Sequence, residues 1–241
     1  MSVHATEVST LAAAASAVLE PVYARLESLA GTVVATRPRR GGWSESHLGP
    51  VKEELVRLLG EDRIAIGLGY VAAPGEVDGQ ERFMAWWQRH GDRVSRLRLN
   101  FDPTSIDVYD YLQMEWFQLA REGRRRVAFG PYVDYSGSDL YIVTATVPVV
   151  ADGRFVGVVG ADVVVSELER RMVDVLRRAP TDAVLVNAER RVIAANSPRW
   201  VVGGRLAAMP ADGADVGADH FLAVAELPVG NGWVVALSRP R

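Results

Sequence analysis

Residues 127–165, VAFGPYVDYSGSDLYIVTATVPVVADGRFVGVVGADVVV, decide the fold of this chain. The runs 140–150 and 154–165 are rich in β-branched and aromatic residues, and the segment Ala151-Asp152-Gly153 between them has the composition of a turn. Both runs are apolar on both faces, which is typical of strands that are covered on both sides. The stretch therefore predicts a β-hairpin in the core of a sheet.

Asp162 lies inside the second apolar run. In strict alternation its side chain shares a face of the strand with Val156, Val158 and Gly160. A carboxylate without a partner is too costly in a low-dielectric interior, so Asp162 needs a partner. Two interpretations stay open. Asp162 either bonds nearby backbone amides at the strand end, or it faces a pocket and binds a cation.

Short motifs in this stretch resemble, by their order and spacing, the double-Cache sensor domains. In that family a Pro-Tyr-x-Asp segment leads into two long strands, and the second strand ends in Gly-Val-x-Gly-x-Asp. The matching residues here are Pro131, Tyr132, Asp134, Gly157, Val158, Gly160 and Asp162. The resemblance implies an α+β fold in which a long N-terminal helix is followed by two PAS-like antiparallel-sheet Cache modules.

The resemblance also implies a ligand site. In amino-acid-binding members of the family, the residues that match Tyr132, Asp134 and Asp162 hold the α-ammonium group of the ligand. An arginine two residues before the family's tryptophan grips the ligand carboxylate, but the matching residue here is Met114. Methionine offers neither a charge nor a donor. The resemblance therefore implies a ligand with an amine that need not carry a carboxylate.

Aromatic residues complete the predicted site, because aromatic rings bind protonated amines by cation–π contact. Trp116 and Phe117 follow Met114 in the motif and are predicted as walls. A tryptophan pair lies at positions 86 and 87, where both rings are core or one of them lines the pocket, and we assign Trp87 to the site. The predicted ligand-binding residues are Trp87, Met114, Trp116, Phe117, Tyr132, Asp134 and Asp162.

Composition excludes several classes of function. The 241 residues are 49% hydrophobic and 24% charged, which is ordinary for a globular protein with one large domain or two modest ones. The net charge of −3 argues against a nucleic-acid partner. The absence of cysteine excludes disulfides and thiolate chemistry.

Catalytic and metal-binding motifs are also missing from the sequence. The four histidines are scattered without the spacing of a metal site. The sequence contains no Gly-x-Ser-x-Gly elbow, no glycine-rich phosphate loop with a lysine and no HExxH motif. We therefore predict neither an enzyme nor a bound cofactor or metal.

Hydropathy predicts no membrane segment. No apolar run reaches the ~18–20 residues that span a bilayer, and the N-terminus lacks the basic region of a signal peptide. Cache domains are usually extracytoplasmic parts of membrane receptors, so this is a departure from the family. We expect a free-standing cytoplasmic protein without a membrane partner.

The chain is predicted to have four parts, namely a long helix at 1–36, a ligand-binding Cache module at 37–165, a connector helix at 166–179 and a smaller Cache-like module at 180–241. Within these parts, residues 104–123 have a helical pattern, Ser166 and Glu169 form a capping box, and residues 203–217 read as loop. The long helix carries an apolar stripe that packs on its own domain or on a second copy. We predict a homodimer through Leu11, Val18, Val22, Leu26 and Leu29.

Two classes of function follow from these observations. In the first, the chain is a small-molecule sensor that binds an amine or amino-acid-like ligand through aspartate and aromatic residues and signals to a separate regulatory protein. In the second, it is a structural or dimerisation module with a degenerate pocket and no ligand. The first class is our prediction.

Overall fold

A computed structural model describes residues 3–38, 42–61 and 63–240 of the chain. Four α-helices lie in the described residues: α1 (Val3–Ala35), α2 (Gly49–Glu61), α3 (Glu115–Arg121) and α4 (Val165–Leu176). No helix among the described residues is long and apolar enough to cross a membrane. The chain divides into two compact units, Val22–Val164 on the one hand and Met1–Pro21 with Val165–Arg241 on the other.

The first unit is built on a six-stranded antiparallel sheet with the strand order β3-β2-β1-β6-β5-β4. Its strands are β1 (Ala65–Ala72), β2 (Met84–His90), β3 (Arg93–Arg96), β4 (Val127–Val133), β5 (Tyr141–Ala151) and β6 (Arg154–Val164). The hairpin predicted from residues 127–165 is confirmed as β5 and β6, which lie inside the sheet. Asp152 and Gly153 form its turn with φ values of 52° and 73°, a left-handed backbone that suits these two residues.

The second unit contains a five-stranded antiparallel sheet with the order β8-β7-β11-β10-β9. Its strands are β7 (Asp182–Val186), β8 (Val192–Ala195), β9 (Asp215–Val216), β10 (Asp219–Glu226) and β11 (Val234–Ser238). The predicted fold class, a long N-terminal helix followed by two antiparallel sheets, is therefore confirmed. The short strand β9 lies in the stretch 203–217 that was expected to be loop, and the four-part division of the chain stays a prediction.

Helix α1 uses its apolar stripe within the chain. Leu11, Val22, Leu26 and Leu29 are buried in a single chain, and only Val18 of the predicted dimer stripe is half-buried. Side chains that the chain already buries cannot also cover a second copy. The prediction that this stripe forms a dimer surface is therefore wrong, and dimerisation itself stays a prediction.

The helix predicted at 104–123 is much shorter in the structure. Residues 104–107 are turns and bends, residues 108–110 are irregular, residues 111–113 form one 3₁₀ turn, and α3 begins at Glu115. The Asp102 carboxylate accepts hydrogen bonds from the amide and the hydroxyl of Thr104, at 2.8 and 2.7 Å. Such local side-chain bonds favour a turn over a helix.

Helix α4 begins one residue before the predicted cap. Because Ser166 already lies inside the helix, it is not the capping residue. Glu167 in the first turn binds the guanidinium groups of Arg170 and Arg171, each at 2.8 Å. These pairs hold the pKa of Glu167 well below its ordinary value, to about 2.

Candidate functional site

A cavity that is partly open to solvent lies on one face of the first sheet. The lining residues come from β2, β4, β5, β6, α3, the turn between β4 and β5, and the segment between β3 and α3. They are Met84, Trp86, Leu97, Leu99, Tyr109, Trp116, Tyr132, Asp134, Gly137, Thr144 and Asp162.

The indole of Trp86 forms the floor of this cavity. A Cβ atom at Gly69 would come within 2.4 Å of its Cε3, one at Gly67 within 2.6 Å of its Nε1, and one at Gly160 within 3.1 Å of its Cη2. Gly69 is paired with both Trp86 and Gly160 across three neighbouring strands. The ring therefore lies flat on β1 and β6, and three missing side chains make room for it.

The edge of this ring reaches the carboxylate of Asp162. Oδ2 of Asp162 lies 3.0 Å from the Cβ position of Gly67, next to the indole nitrogen. That N–H is buried and makes no hydrogen bond of good geometry with the described residues. The N–H is nevertheless close enough to the carboxylate to lower the pKa of Asp162, against the effect of burial.

Asp162 lies at the end of a hydrogen-bonded relay. Thr144, its partner on β5, donates a hydrogen bond of 2.9 Å from Oγ1 to Oδ1 of Asp162. The Tyr132 hydroxyl lies 2.7 Å from the same Thr144 oxygen. Because the single Thr144 proton is directed at the carboxylate, Tyr132 donates to Thr144 whenever Asp162 is ionised. Two hydroxyl groups thus support the negative charge in sequence.

Asp134 follows the last residue of β4 and stabilises the turn that leads to β5. Its Oδ2 accepts hydrogen bonds from the Ser138 amide at 2.8 Å and from the Ser138 hydroxyl at 3.1 Å. A Cβ atom at Gly137 would come within 2.3 Å of the same oxygen, so only glycine fits there. These bonds hold the carboxylate at the cavity, where Asp134 is 8% exposed.

Burial and like charge dominate the electrostatics of the site. Burial, followed by the charge of Asp134, raises the pKa of Asp162 to about 8, and the Thr144 hydrogen bond and the nearby Trp86 N–H act against the rise. Burial, together with the same carboxylates, raises the pKa values of Tyr109 and Tyr132 well above the ordinary value. At neutral pH the isolated site therefore holds a proton on Asp162 and keeps both phenols neutral.

Each carboxylate presents one oxygen that the fold does not use. Within the described residues, Oδ2 of Asp162 and Oδ1 of Asp134 accept no hydrogen bond of good geometry. No lysine, arginine or histidine is among the described residues that line the cavity. The two carboxylates can therefore accept hydrogen bonds from a cationic ligand. The described lining contains no basic side chain that would take its place.

Four of the seven residues predicted for the site meet at this cavity: Trp116, Tyr132, Asp134 and Asp162. Thr146 helps to place Trp116, because its hydroxyl donates to the Trp116 carbonyl oxygen at 3.1 Å and so joins α3 to β5. That the four residues bind a ligand stays a prediction.

The other three predicted residues do not line the cavity. Phe117 is fully buried and packs edge-on against Tyr111 and Phe155, so it supports the wall from behind. Met114 caps α3 and is half-buried against the core. Trp87 points to the opposite face of the sheet, since adjacent strand residues alternate, and there it contacts the guanidinium of Arg96. Trp86 takes the place that was assigned to Trp87.

Sequence reasoning missed several lining residues. Thr144 could have been found, because it lies on a predicted strand with the alternation that directs it to the face of Asp162. The close spacing of Gly67 and Gly69 before a tryptophan pair was a second signal. Leu97, Leu99 and Tyr109 carried no comparable signal, because the segment that contains them has no regular structure.

A second depression, in the second unit, is lined by a charged residue that is already paired. In the second unit, Arg199 lines a shallow depression, but its guanidinium binds Asp182 at 2.8 Å and also pairs with Asp219. Within the described residues, no group of three or more histidine, cysteine or acidic side chains is arranged to hold a metal ion. The cavity of the first unit is thus the strongest candidate for a functional site.

Comparisons with solved structures identify the fold. The ligand-binding domain of the Pseudomonas aeruginosa amino-acid chemoreceptor PctC in complex with GABA aligns with a TM-score of 0.59 at 20% identity, covering 97% of this chain and 96% of that one. The ligand-binding domain of the Campylobacter jejuni chemoreceptor Tlp3 with L-valine aligns with a TM-score of 0.60 at 14% identity, covering 98% and 92%. A structure described as methyl-accepting chemotaxis protein X gives 0.57 at 18% identity and covers 97% of both chains.

The fold is therefore that of the double-Cache sensor domains. Residues 51–170 match the family model described as "Methyl-accepting chemotaxis protein-like, first PDC sensor domain", and this part of the chain belongs to that family. No curated protein matches the chain. The family consists of sensor domains, so the matched part of the chain is a sensor domain and not an enzyme.

Proposed function

We propose that this sensor recognises a small molecule with a protonated amine, which binds in the cavity of the first unit and is reported to a separate signalling protein. The observation that carries the proposal is the pair of carboxylates, Asp134 and Asp162, each with one oxygen that the fold leaves without a hydrogen bond. Both carboxylates are at least nine-tenths buried. A buried acidic pair needs a cation to be stable in its ionised form.

The aromatic rings of the cavity support the same ligand. Trp86, Tyr109, Trp116 and Tyr132 line it together with the two carboxylates. A primary ammonium group donates hydrogen bonds to carboxylates and is attracted to aromatic faces. An anion would meet two acidic side chains and no basic one, so we expect anions to be excluded.

The proposal separates this sensor from the amino-acid receptors that it is similar to. The similar structures hold L-valine and GABA, ligands that carry both an amine and a carboxylate. Met114 stands where the resembled family has its carboxylate-binding arginine, and no basic residue lines the described cavity. We therefore expect the amine to be required and the carboxylate not to be.

The partners remain proposals. We expect the binding signal to pass to a separate regulatory protein. A homodimer is also proposed, on a surface other than the buried stripe of α1, and light scattering at several protein concentrations tests it. The cytoplasmic location expected from the sequence stays a prediction that cell fractionation tests.

A thermal-shift screen tests the proposed function. Amines, amino acids and organic acids are added singly at saturating concentration, and a ligand at ~100 times its Kd stabilises the folded state by ~2.7 kcal/mol. We expect stabilisation by compounds with an ammonium group. If only anions without an amine stabilise the protein, the proposal is wrong.

The screen also tests the ligand-free alternative, which one observation favours. Oδ2 of Asp134 stabilises the turn at Gly137 and Ser138, a role that requires no ligand. If no compound shifts the unfolding temperature, the chain is a structural or dimerisation module.

A further inference from the structure

We infer that the ligand is a monoamine with an apolar body, bound with its ammonium group at Asp134 and Asp162 and its body along the Trp86 indole towards Met84, Leu97 and Leu99. The inference rests on the proposed function and specifies the chemical class of the ligand at the same site. It follows from the way in which polar and apolar groups are separated along the cavity.

The polar end of the cavity contains every charged group in the described lining. Asp134, Asp162, Tyr132 and Thr144 are joined there by short hydrogen bonds or by direct electrostatic coupling. Tyr109 belongs to the same end, since both carboxylates act on its ionisation. An ammonium group at this end can donate to both unused carboxylate oxygens.

Trp86 connects this end to the other. Its pyrrole edge lies beside Asp162, and its six-membered ring extends over Gly69 and Gly160. Because one face of the ring lies on the glycines, the opposite face is the one that the cavity presents. A ligand held at the carboxylates therefore lies with its body on an aromatic surface.

The apolar end consists of Met84, Leu97, Leu99 and the ring of Trp116. Leu97 and Leu99 are half-buried, and Arg98 between them is exposed and lines a separate depression. The two leucines therefore face the cavity, and the charge of Arg98 lies away from it. A methionine and two leucines offer no hydrogen bond.

This separation sets the specificity of the site. A second ammonium group on the far end of a ligand would lose its water without gaining a partner, and a carboxylate there would meet the same apolar wall. Either charge should lower the affinity by at least about tenfold relative to a methyl group at that position. The site should therefore prefer monoamines to diamines and to amino acids.

A matched series of five-carbon compounds tests the inference by calorimetric titration of the full chain. The series consists of n-pentylamine, n-pentanol, cadaverine and δ-aminovalerate, which differ only at the two chain ends. We expect n-pentylamine to bind most tightly. Cadaverine and δ-aminovalerate should each bind at least about tenfold more weakly, because a charged terminus replaces the methyl group.

A substitution that places a charge at the apolar end gives a gain of function. Leu99→Glu should raise the affinity for cadaverine relative to n-pentylamine by at least about tenfold, since the new carboxylate pairs with the second ammonium. Leu99→Gln is the matched control, with nearly the same shape and no charge, and should not change this ratio. Because Leu99 is half-buried, the chain should tolerate both changes, and Leu97→Glu serves if Leu99→Glu does not fold.

The possible outcomes separate the inference from the function on which it rests. If n-pentanol binds as tightly as n-pentylamine, the proposed amine sensor is wrong and the inference falls with it. If no compound of the series binds, the inference is wrong, and the thermal-shift screen decides whether the amine sensor stands. If n-pentylamine binds more tightly than n-pentanol but cadaverine or δ-aminovalerate equals it, only the inference is wrong. An unchanged ratio in a folded Leu99→Glu variant would also overturn the inference alone.

Discussion

Thr144 donates a hydrogen bond of 2.9 Å from its hydroxyl to Oδ1 of Asp162, and it accepts one from Tyr132 when Asp162 is ionised. This contact joins two interior strands, where a carboxylate needs a partner. The bond satisfies one oxygen of Asp162 and leaves the second for a ligand. The two roles of Asp162, in the fold and in binding, therefore belong to different oxygens.

Replacement of Asp162 by asparagine should separate these two roles. Because burial raises the pKa of Asp162 to about 8, the residue is neutral in the ligand-free protein at pH 7, and asparagine has nearly the same shape and no charge. Asp162→Asn should therefore retain the unfolding temperature at that pH. It should weaken amine binding by roughly 2–5 kcal/mol, as for the loss of one partner of a buried charge pair.

Parallel melting curves and calorimetric titrations of Asp162→Asn measure both effects. Asp162→Ala is the comparison variant, because it also leaves the Thr144 hydroxyl without its acceptor and should unfold at a lower temperature. An asparagine variant with unchanged amine affinity would mean that Asp162 is structural.

The stability of the ligand-free protein should depend on pH through Asp162. The folded state keeps the proton up to about pH 8, whereas the unfolded chain releases it near pH 4. Between these values the folded state binds more protons, so the free energy of unfolding should fall as the pH rises, by up to ~1.4 kcal/mol per pH unit, and level off above pH 8.

Urea unfolding of the wild type and of Asp162→Asn is measured from pH 5 to pH 9, a range that includes the Asp162 pKa of about 8. The difference between the two free energies of unfolding isolates the contribution of Asp162. The neighbouring titratable groups, Asp134, Tyr109 and Tyr132, are present in both proteins. A difference that does not change with pH would show that the carboxyl is not perturbed.

Removal of the Thr144 hydroxyl should weaken amine binding at neutral pH. Thr144→Val keeps the shape of the side chain, but it deletes a hydrogen bond that lowers the pKa of Asp162, so the carboxyl should ionise only at a higher pH. The pH at which amine affinity reaches half its maximum should therefore rise. Thr144→Ser keeps the hydroxyl and should behave like the wild type, and equal pH profiles for valine and serine would refute the relay.

The glycines under Trp86 should be necessary for the floor of the cavity. Gly69→Ala would place a Cβ atom 2.4 Å from Cε3 of Trp86 and 2.7 Å from the carbonyl oxygen of Ala85, so the ring or the strand must move. We expect a loss of stability of ~1–3 kcal/mol and weaker amine binding.

Gly60→Ala is a suitable control for this substitution. Gly60 lies in α2 with no atom within 4 Å of its Cβ position, so alanine there should stabilise the protein by ~0.5–1 kcal/mol. Chemical unfolding and amine titration of both variants provide the comparison. Normal binding in Gly69→Ala would mean that Trp86 is not held by the glycines.

The parts of the fold that follow from local patterns were predictable from the sequence. The β5–β6 hairpin consists of two long strands rich in β-branched residues, joined by a turn. Asp162 is conspicuous in this hairpin because charged residues are rare in such strands. The neighbours of Asp162 across the sheet were harder to predict, because they depend on the register between β1, β2 and β6. The choice between Trp86 and Trp87 turns on a single residue of that register.

Other features depend on tertiary contacts that a sequence pattern does not contain. The apolar stripe of α1 has the same periodicity whether it covers its own chain or a second copy, and only the burial of Leu26 and Leu29 decides between them. The turn at Thr104 overrides a helical pattern because Asp102 bonds the backbone locally. The cavity wall from Leu97 to Tyr109 is irregular, so periodicity could not predict it.

Binding of an ammonium group to the ionised carboxylate of Asp162 should change the titration of that carboxyl, which its ¹³C resonance reports. The resonance is assigned by its absence in Asp162→Asn and followed through a pH titration with and without a saturating amine. We expect a midpoint near pH 8 in the free protein and a midpoint lower by at least about one pH unit in the complex, because the cation stabilises the charged form. A midpoint that is the same in both states would contradict the account.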